Sequence, residues 1–332
     1  MPLVDVVIPS WNGLHWLKQC LPSLHGQLLL DFRVTVVDNG STDGTTAWVQ
    51  THFPDTLLIR NPQNLGFAKA VNQGVRQGSA EYVATLNNDT EADPGWLQSL
   101  VQVAEGSRLT GMVASKMLFA DRPGMINSAG ICVDRAGIAW DRSGGARDDP
   151  QTTEPEEVFG PCAGAALYRR AMLDEIGLFD EDFFAYLEDV DLAWRARRAG
   201  WRCLYAPTAR VLHHHSATAR EGSPFKSFHL GRNKVWLLAK NYPFRQLWQH
   251  VPLVVAYDLL AATYALVSRG DRHALRGRLA ALSGWRKMWR KRRHALTSRR
   301  RTDIGFLEPV ASPGRITERY QHLRPPAART PD

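Results

Sequence analysis

Carboxylates placed just past apolar runs are the residues of this chain with the most chemistry to offer. Asp89 ends the series Thr85-Leu86-Asn87-Asn88-Asp89, behind the apolar Tyr82, Val83 and Ala84. Asp38 opens the turn Asp38-Asn39-Gly40-Ser41 behind another apolar run. A carboxylate in such a turn can accept hydrogen bonds from a ribose or a base, which suits Asp38. It can also hold a hard divalent cation with positions left open for phosphate, which suits Asp89. Asn and Asp are common turn formers, so each turn taken singly also has a plain structural reading. A third cluster, Glu188-Asp189-Val190-Asp191, opens a helical pattern, where the dipole favours acids whatever they do. Residues two apart do not share a helix face, so Asp189 and Asp191 cannot both address one substrate. Asp191 stands four residues before Arg195, the spacing of a structural ion pair. The run His213-His214-His215 is ambiguous by itself; a strand would send His213 and His215 to one face and His214 to the other.

These groups need elements to carry them. Short apolar strands are expected at residues 4–8, 32–37, 56–59 and 81–86, with helices at 14–24, through Trp48 and Val49, and over the second half of NPQNLGFAKAVNQGVRQG. Asp93-Pro94 reads as the N-cap and first residue of a helix running through Leu100. Residues 119–160, rich in Gly, Pro, Asp and Arg, read as a long loop with short strands that covers a site. A helix over 188–199 with Gly200 as its C-cap and a strand over 202–206 follow. Strands alternating with helices point to a mostly parallel sheet covered on both faces. In such a sheet ligands bind beyond the carboxyl ends of the strands, where Asp38 and Asp89 fall.

Length and charge bound the rest. A chain of 332 residues holds one large α/β domain with an appendage, or two domains. The first residues lack the pattern of a secretory signal. Cys20, Cys132, Cys162 and Cys203 have no metal-site spacing and read as reduced cytosolic thiols. The net charge of +8 is localised: residues 269–301 hold thirteen Lys/Arg against the single acid Asp271, which leaves the body mildly acidic. That argues against a generally nucleic-acid-binding fold and for a specialised tail. Residues 251–267 are apolar except for Asp258 and fall short of a confident membrane span. In the basic segment Leu275, Leu279, Leu282, Trp285 and Trp289 fall on one helical face, as in an interfacial helix on anionic lipid. A basic helix packed on its own domain is the alternative, and an RNA-binding tail is less favoured because the aromatics follow the apolar stripe.

Seven stretches occur in one order: VVIPSWN, VDNGSTDG, NLGFAKAVNQG, LNNDT, GAALYRR, FDEDFFAYLEDVDLAWRARRAGW and VLHHHSAT. Together they resemble a bacterial family-2 glycosyltransferase of the rhamnosyltransferase-like kind, over about residues 3–242. The resemblance implies an α/β GT-A nucleotide-diphospho-sugar transferase fold, a mostly parallel central sheet flanked by helices, over residues 1–242. A helical, amphipathic and basic region with a disordered end would follow over 243–332. The implied activity is inverting transfer from a nucleotide-diphosphate sugar, assisted by Mg²⁺ or Mn²⁺. By position, Pro9, Trp11 and Asn12 would lie by the nucleotide, Asp38 would hold the base or ribose with Asn39 beside it, and Asn64, Gly66, Phe67 and Asn72 would shape the same pocket. Asn87-Asn88-Asp89 stands in place of the DXD motif; Asn87 replaces its first Asp, so the metal load falls on Asp89. His213 would be a second metal ligand, which suits Mn²⁺ better than Mg²⁺. The resemblance makes Asp189 the general base, with Glu188 positioning the acceptor. Arg232, in GRNKVW, would contact the diphosphate or serve the structure, the two being equally weighted.

The donor expected from overall resemblance is deoxythymidine-diphosphate rhamnose, and the basic tail points to a glycan or lipid-linked acceptor. The expected location is the cytoplasm, at the inner face of the cell membrane through residues 269–301, with no nucleic-acid partner. Two alternatives rank lower. A sugar nucleotidyltransferase would want a glycine-rich basic loop after the first strand, and SWNGLHWLKQ supplies one glycine and no arginine. A non-catalytic membrane or RNA-binding scaffold would have no use for the ordered set Asp38, Asp89, Asp189 and His213.

Overall fold

The structure is a computed structural model that describes residues 1–214, 222–297, 304–312 and 314–315. His215, the end of the basic segment and residues 316–332 lie outside the described residues.

The N-terminal half alternates strand and helix: β1 (Val4–Ser10), α1 (Leu14–His25), β2 (Phe32–Asp38), α2 (Thr45–His52), β3 (Leu57–Arg60), α3 (Phe67–Gln77) and β4 (Tyr82–Leu86). Then come β5 (Thr90–Ala92), α4 (Trp96–Glu105), β6 (Thr110–Phe119), β7 (Ile126–Ser128), β8 (Ile131–Val133), β9 (Ala139–Asp141) and β10 (Glu156–Val158). The remaining sheet region is β11 (Ala165–Arg169), α5 (Arg170–Ile176), a 3₁₀ turn at Glu181–Phe183, α6 (Glu188–Ala199) and β12 (Arg202–His213). In the central sheet the order is β10-β12-β6-β11-β4-β1-β2-β3, with β5 on β12 and β7 on β6. From β3 to β4 all neighbours are parallel; β11 is inserted antiparallel between β4 and β6. β4 and β6 are buried along their whole length, as strands covered on both faces must be. One core, with Val7, Val71 and Met112, fills one side of the sheet, and another, with Ile8, Leu17 and Trp96, fills the other. On the first side α3 comes so close that a Cβ at Gly74 would sit 2.4 Å from a Val7 methyl.

Three local expectations are corrected. α4 starts two residues past Pro94, because Asp93 donates its N–H to Arg210 and accepts from Trp96 in a turn off β5. The strand expected at 202–206 runs on to His213, its register shifting between Ala206 and Arg210 around Pro207, which has no N–H to give the ladder. β6 went unread because an unbroken buried strand without alternation has no periodic signature.

The C-terminal region consists of α7 (Pro224–Asn241), α8 (Phe244–Arg269), α9 (His273–Ser283) and α10 (Trp285–Thr297). Ser223 caps α7 by accepting from Lys226 N–H. α9 crosses α7 at very short range: a Cβ at Gly277 would lie 2.1 Å from the Phe228 carbonyl, and one at Gly231 would lie 2.5 Å from that of Ala274. The single basic helix expected here is two, broken at Gly284, where a Cβ would strike the Trp236 ring.

Candidate active site

β1 and β2 end side by side, Ser10 opposite Asp38, so their following turns share one corner of the sheet. Asn12, at φ 48°, donates its N–H to Ser41 Oγ and accepts from Thr42 N–H, each bond close to 2.9 Å. Asp38 is fully buried; its two oxygens take Ser41 N–H at 2.9 Å and Thr46 Oγ at 2.5 Å. Asn39 ties this turn to the next one, donating to Gly66 O and Asn64 Oδ1 and accepting from Asn61 and Leu65. Gly66, at φ 88°, carries no Cβ because one would meet the Phe184 carbonyl at 2.6 Å. Phe67 packs edge-on against Phe179. The Asn72 amide is spent on the Phe179 backbone and Glu181. Of this expected nucleotide set, Trp11 and Asn12 are exposed, Pro9 is half-buried, and Asp38, Asn39 and Asn72 are buried and hold the turns in shape.

Beyond β4, Asn88 donates to Ser10 Oγ at 3.0 Å and lies against Gly13, whose missing side chain makes room for it. Asn87 donates its N–H to Gly164 O at 2.7 Å, and its own carbonyl accepts from Thr90. Asp89, nearly buried, faces His213 with 3.4 Å between Oδ1 and Nε2. The extended β12 delivers His213 there, opposite Thr90 of β5 and Phe119 of β6. Asn127 Oδ1 lies 2.7 Å from His213 Nδ1, which leaves Nε2 on the Asp89 side. His214 turns to Glu91, as strand alternation requires.

This pair fits a divalent cation. Two neighbouring ligands of one octahedral ion sit about 3 Å apart at metal–ligand distances of about 2.1 Å, near the observed separation. Asn127 holds the His213 ring through Nδ1, the kind of contact that would orient a ligating imidazole. No group of three or more His, Cys, Asp or Glu suited to a metal occurs among the described residues.

α6 begins from a forced segment: Phe184, Tyr186 and Leu187 all have φ between 66° and 70°. Such backbone persists only where the surroundings over-determine it. Here Asn233 Nδ2 lies within 2.9 Å of the carbonyls of Phe183, Ala185 and Tyr186. Arg232 donates to the carbonyls of Asp182 and Phe183 and stacks on Trp236. Arg232 is thus placed on the loop leading to Asp189.

Asp189 is half-buried, with Oδ2 accepting from Ala163 N–H at 3.2 Å and Oδ1 from Val190 N–H at 2.8 Å. Burial pushes its carboxyl up to about 6, against those two backbone donors. Glu188 is buried, its Oε2 has no hydrogen-bond partner among the described residues, and burial followed by the Asp189 charge raises it well above the usual carboxylate range. Asp191 is fully buried and takes Arg195 at 2.9 Å, Lys240 at 2.8 Å and Asn241 at 2.7 Å. Burial alone would raise it, but Lys240 and Arg195 overcome that and hold it low.

The segment Cys162-Ala163-Gly164 joins the two polar corners, touching Asp189 through Ala163 N–H and Asn87 through the Gly164 carbonyl. A carboxyl near 6 is a base at neutral pH that still has appreciable affinity for a proton. The site therefore sets a carboxyl near 6 and the Asp89–His213 pair on one edge of the sheet. Residue patterns missed Asn127, Asn233 and Lys240; the sequence signal for Asn233 was its place beside Arg232.

Residues 5–177 match the sequence profile of Glycosyl transferase family 2. The chain belongs to that family and is a glycosyltransferase. It is 29% identical over 314 residues to N-acetylglucosaminyl-diphospho-decaprenol L-rhamnosyltransferase of Mycobacterium tuberculosis, covering 85% of this chain and 98% of that one. It is 30% identical to the pre-mycofactocin glycosyltransferase of the same organism, over 84% of this chain and 55% of the relative. Among solved structures, GalNAc-T7 with UDP, GalNAc and Mn²⁺ superposes with a TM-score of 0.59 at 16% identity, over 74% of this chain and 49% of that one. The chain thus spans about half the length of that structure. TarS 1-349 of S. aureus gives 0.52 at 17% identity, over 87% and 81%. These likenesses establish the GT-A fold.

Proposed function

We propose that the protein transfers a sugar, with inversion, from a nucleotide-diphosphate donor to a lipid-linked glycan acceptor in cell-surface polysaccharide synthesis. The carrying observation is the pairing of an accessible carboxyl near 6, Asp189, with the Asp89–His213 corner through residues 162–164. Asp189 takes the proton from the acceptor hydroxyl as that oxygen bonds to the anomeric carbon, whose bond to the diphosphate breaks. Asp89 and His213 would hold Mg²⁺ or Mn²⁺, which would supply charge neutralisation of the departing diphosphate when bound. Glu188, raised by burial and by the neighbouring Asp189 charge, lies beside the base and positions the acceptor.

Pro9, Trp11 and Asn12 form the open wall against the nucleotide, with Asp38, Asn39, Asn64, Gly66, Phe67 and Asn72 shaping it from behind. The asparagines 87 and 88 set the turn that aims Asp89. The donor is deoxythymidine-diphosphate rhamnose and the acceptor a prenyl-diphosphate-linked sugar, a reading supported by the near full-length similarity to a decaprenol-linked rhamnosyltransferase. Such an acceptor places the enzyme in the cytoplasm at the inner face of the cell membrane.

The test is a panel of nucleotide sugars with Mn²⁺ or Mg²⁺, screened by thermal shift and followed by product analysis on a lipid-linked acceptor. Metal-dependent stabilisation by deoxythymidine-diphosphate rhamnose and a product of inverted configuration are expected. A retained configuration, or transfer undiminished in chelator, overturns the mechanism.

A further inference from the structure

α8 carries apolar residues on its outside. Trp248, Val255, Leu259, Leu260, Leu266 and Val267 are exposed, and they recur at helical spacing along one face. The opposite face, with Leu247, Val254 and Tyr257, is turned toward protein. Apolar residues scattered singly over a surface are ordinary, but a continuous face of this size marks an interaction site. It continues across α9 and α10 through Leu275, Leu279, Leu282 and Trp285, all exposed. Between α8 and α9 lies an open groove of about 550 Å³, whose lining mixes Leu266, Leu275 and Leu279 with Arg272 and Arg276.

α8 is long and apolar enough to cross a membrane, with 6% of its most apolar window buried. Asp258, at mid-helix, argues for another orientation. It accepts from Arg278 Nε at 2.7 Å and Nη2 at 3.0 Å, and pairs with Lys234 Nζ at 3.1 Å. These contacts tie the middle of α8 to α9 and α7. Spanning would carry an Asp, an Arg and a Lys to the bilayer centre, or leave the Asp there without partners; either is expensive. Lying flat leaves the ion pairs on the protein side and turns the apolar face to lipid. Exposed Arg269, Arg272, Arg276, Arg286 and Arg290 accompany that surface, and arginines near anionic headgroups are drawn to them electrostatically.

We propose that α8, with the outer faces of α9 and α10, lies flat in the headgroup region of an anionic bilayer. The membrane role expected of residues 269–301, which carry their own Leu/Trp face, thereby extends to an element outside that segment. The purpose of docking rests on the lipid-linked acceptor reading, whereas the docking geometry does not. Consistent with that purpose, α7 and α10 also hold the loop before Asp189, through Asn233, Arg232 and the ion pairs of Lys287 and Lys291 with Asp182.

The experiment uses the full-length protein with phosphatidylcholine vesicles, with and without phosphatidylglycerol, some carrying acyl chains brominated at shallow or deep positions. Sedimentation should show at least tenfold tighter binding to the anionic vesicles, and shallow bromines should quench tryptophan fluorescence more than deep ones. The double variant Val255→Glu/Leu259→Glu, checked for folding by circular dichroism, should lose both signals. Unchanged vesicle binding in that variant overturns the proposal. Stronger deep quenching overturns the flat orientation, and a dimer dissociated by the two glutamates, without vesicle binding, assigns the face to a second copy. Metal-dependent nucleotide binding by vesicle-free protein is measured in parallel; its loss in the wild type would undermine the transfer reading and leave the docking result intact.

Discussion

The two sides of the first turn of α6 share a stretch of chain and almost nothing else. On one side Glu188 and Asp189 are raised by burial, with backbone N–H groups as the hydrogen-bond donors to Asp189 among the described residues. On the other, Asp191 is surrounded by Arg195, Lys240 and Asn241 and held low. Asp180 joins the same network through Lys240 and Lys291 and is likewise driven down: burial opposes, and the two lysines prevail. Burial works against the charge on both sides, and the presence or absence of a cation decides the outcome. A base needs some affinity for a proton, whereas a structural anchor works better without any. One helical turn supplies both because residues two apart point to different surroundings.

The sharpest way to break this comparison is Asp189→Asn. Transfer should fall by roughly 10²–10⁴, the usual contribution of a general base, while metal-dependent nucleotide binding persists. Near wild-type turnover at saturating donor would remove Asp189 from the chemistry. Asp191→Asn should cost about 3–5 kcal/mol of stability, because Arg195 keeps its buried charge without its carboxylate partner and Lys240 is left to Asp180. Urea denaturation measures this, and turnover per folded molecule should change by only a few-fold.

Titration tests the same contrast with a smaller effect. Below about pH 6, the value of Asp189, the rate should fall about tenfold per pH unit as the base protonates. Stability should move the other way at this residue. Its folded value lies above the ordinary 3.8, so the folded state binds more protons between about 4 and 6 and loses stability as pH rises through that window. Asp191, held low, contributes stability that is present above its ordinary 3.8 and lost as pH falls through its folded value. Asp189→Asn should flatten the first slope and Asp191→Asn the second, as read by chemical denaturation at a series of pH values.

Smaller still are the effects expected from the supports of the strained segment. Asn233→Ala leaves carbonyls without their donor and should cost about 1–3 kcal/mol, with a drop in kcat that exceeds any change in donor KM. Lys291→Ala removes a partly exposed ion pair and should cost at most about 1 kcal/mol. A Lys291→Ala effect on kcat as large as that of Asn233→Ala would mean that α10, rather than α7, sets the geometry of the base.

Sequence by itself determined the features that depend on near neighbours. The alternation of apolar strands and helices gave a mostly parallel sheet. The spacing of Asp191 and Arg195 gave their ion pair, and alternation separated His213 from His214. The ordered motifs drew Asp38, Asp89 and Asp189 into one framework. What only the tertiary structure decided depends on partners far along the chain. Asp191 meets Lys240 and Asn241, 49 and 50 residues away, and His213 meets Asn127, 86 residues away. The carriage of His213 to Asp89 required β12 to continue past Pro207, where the local pattern argues for an end. The value of Asp189 near 6 depends on its burial and on Ala163, 26 residues before it. No local pattern encodes such quantities, because desolvation and ion pairing are set by whatever the fold packs around a group.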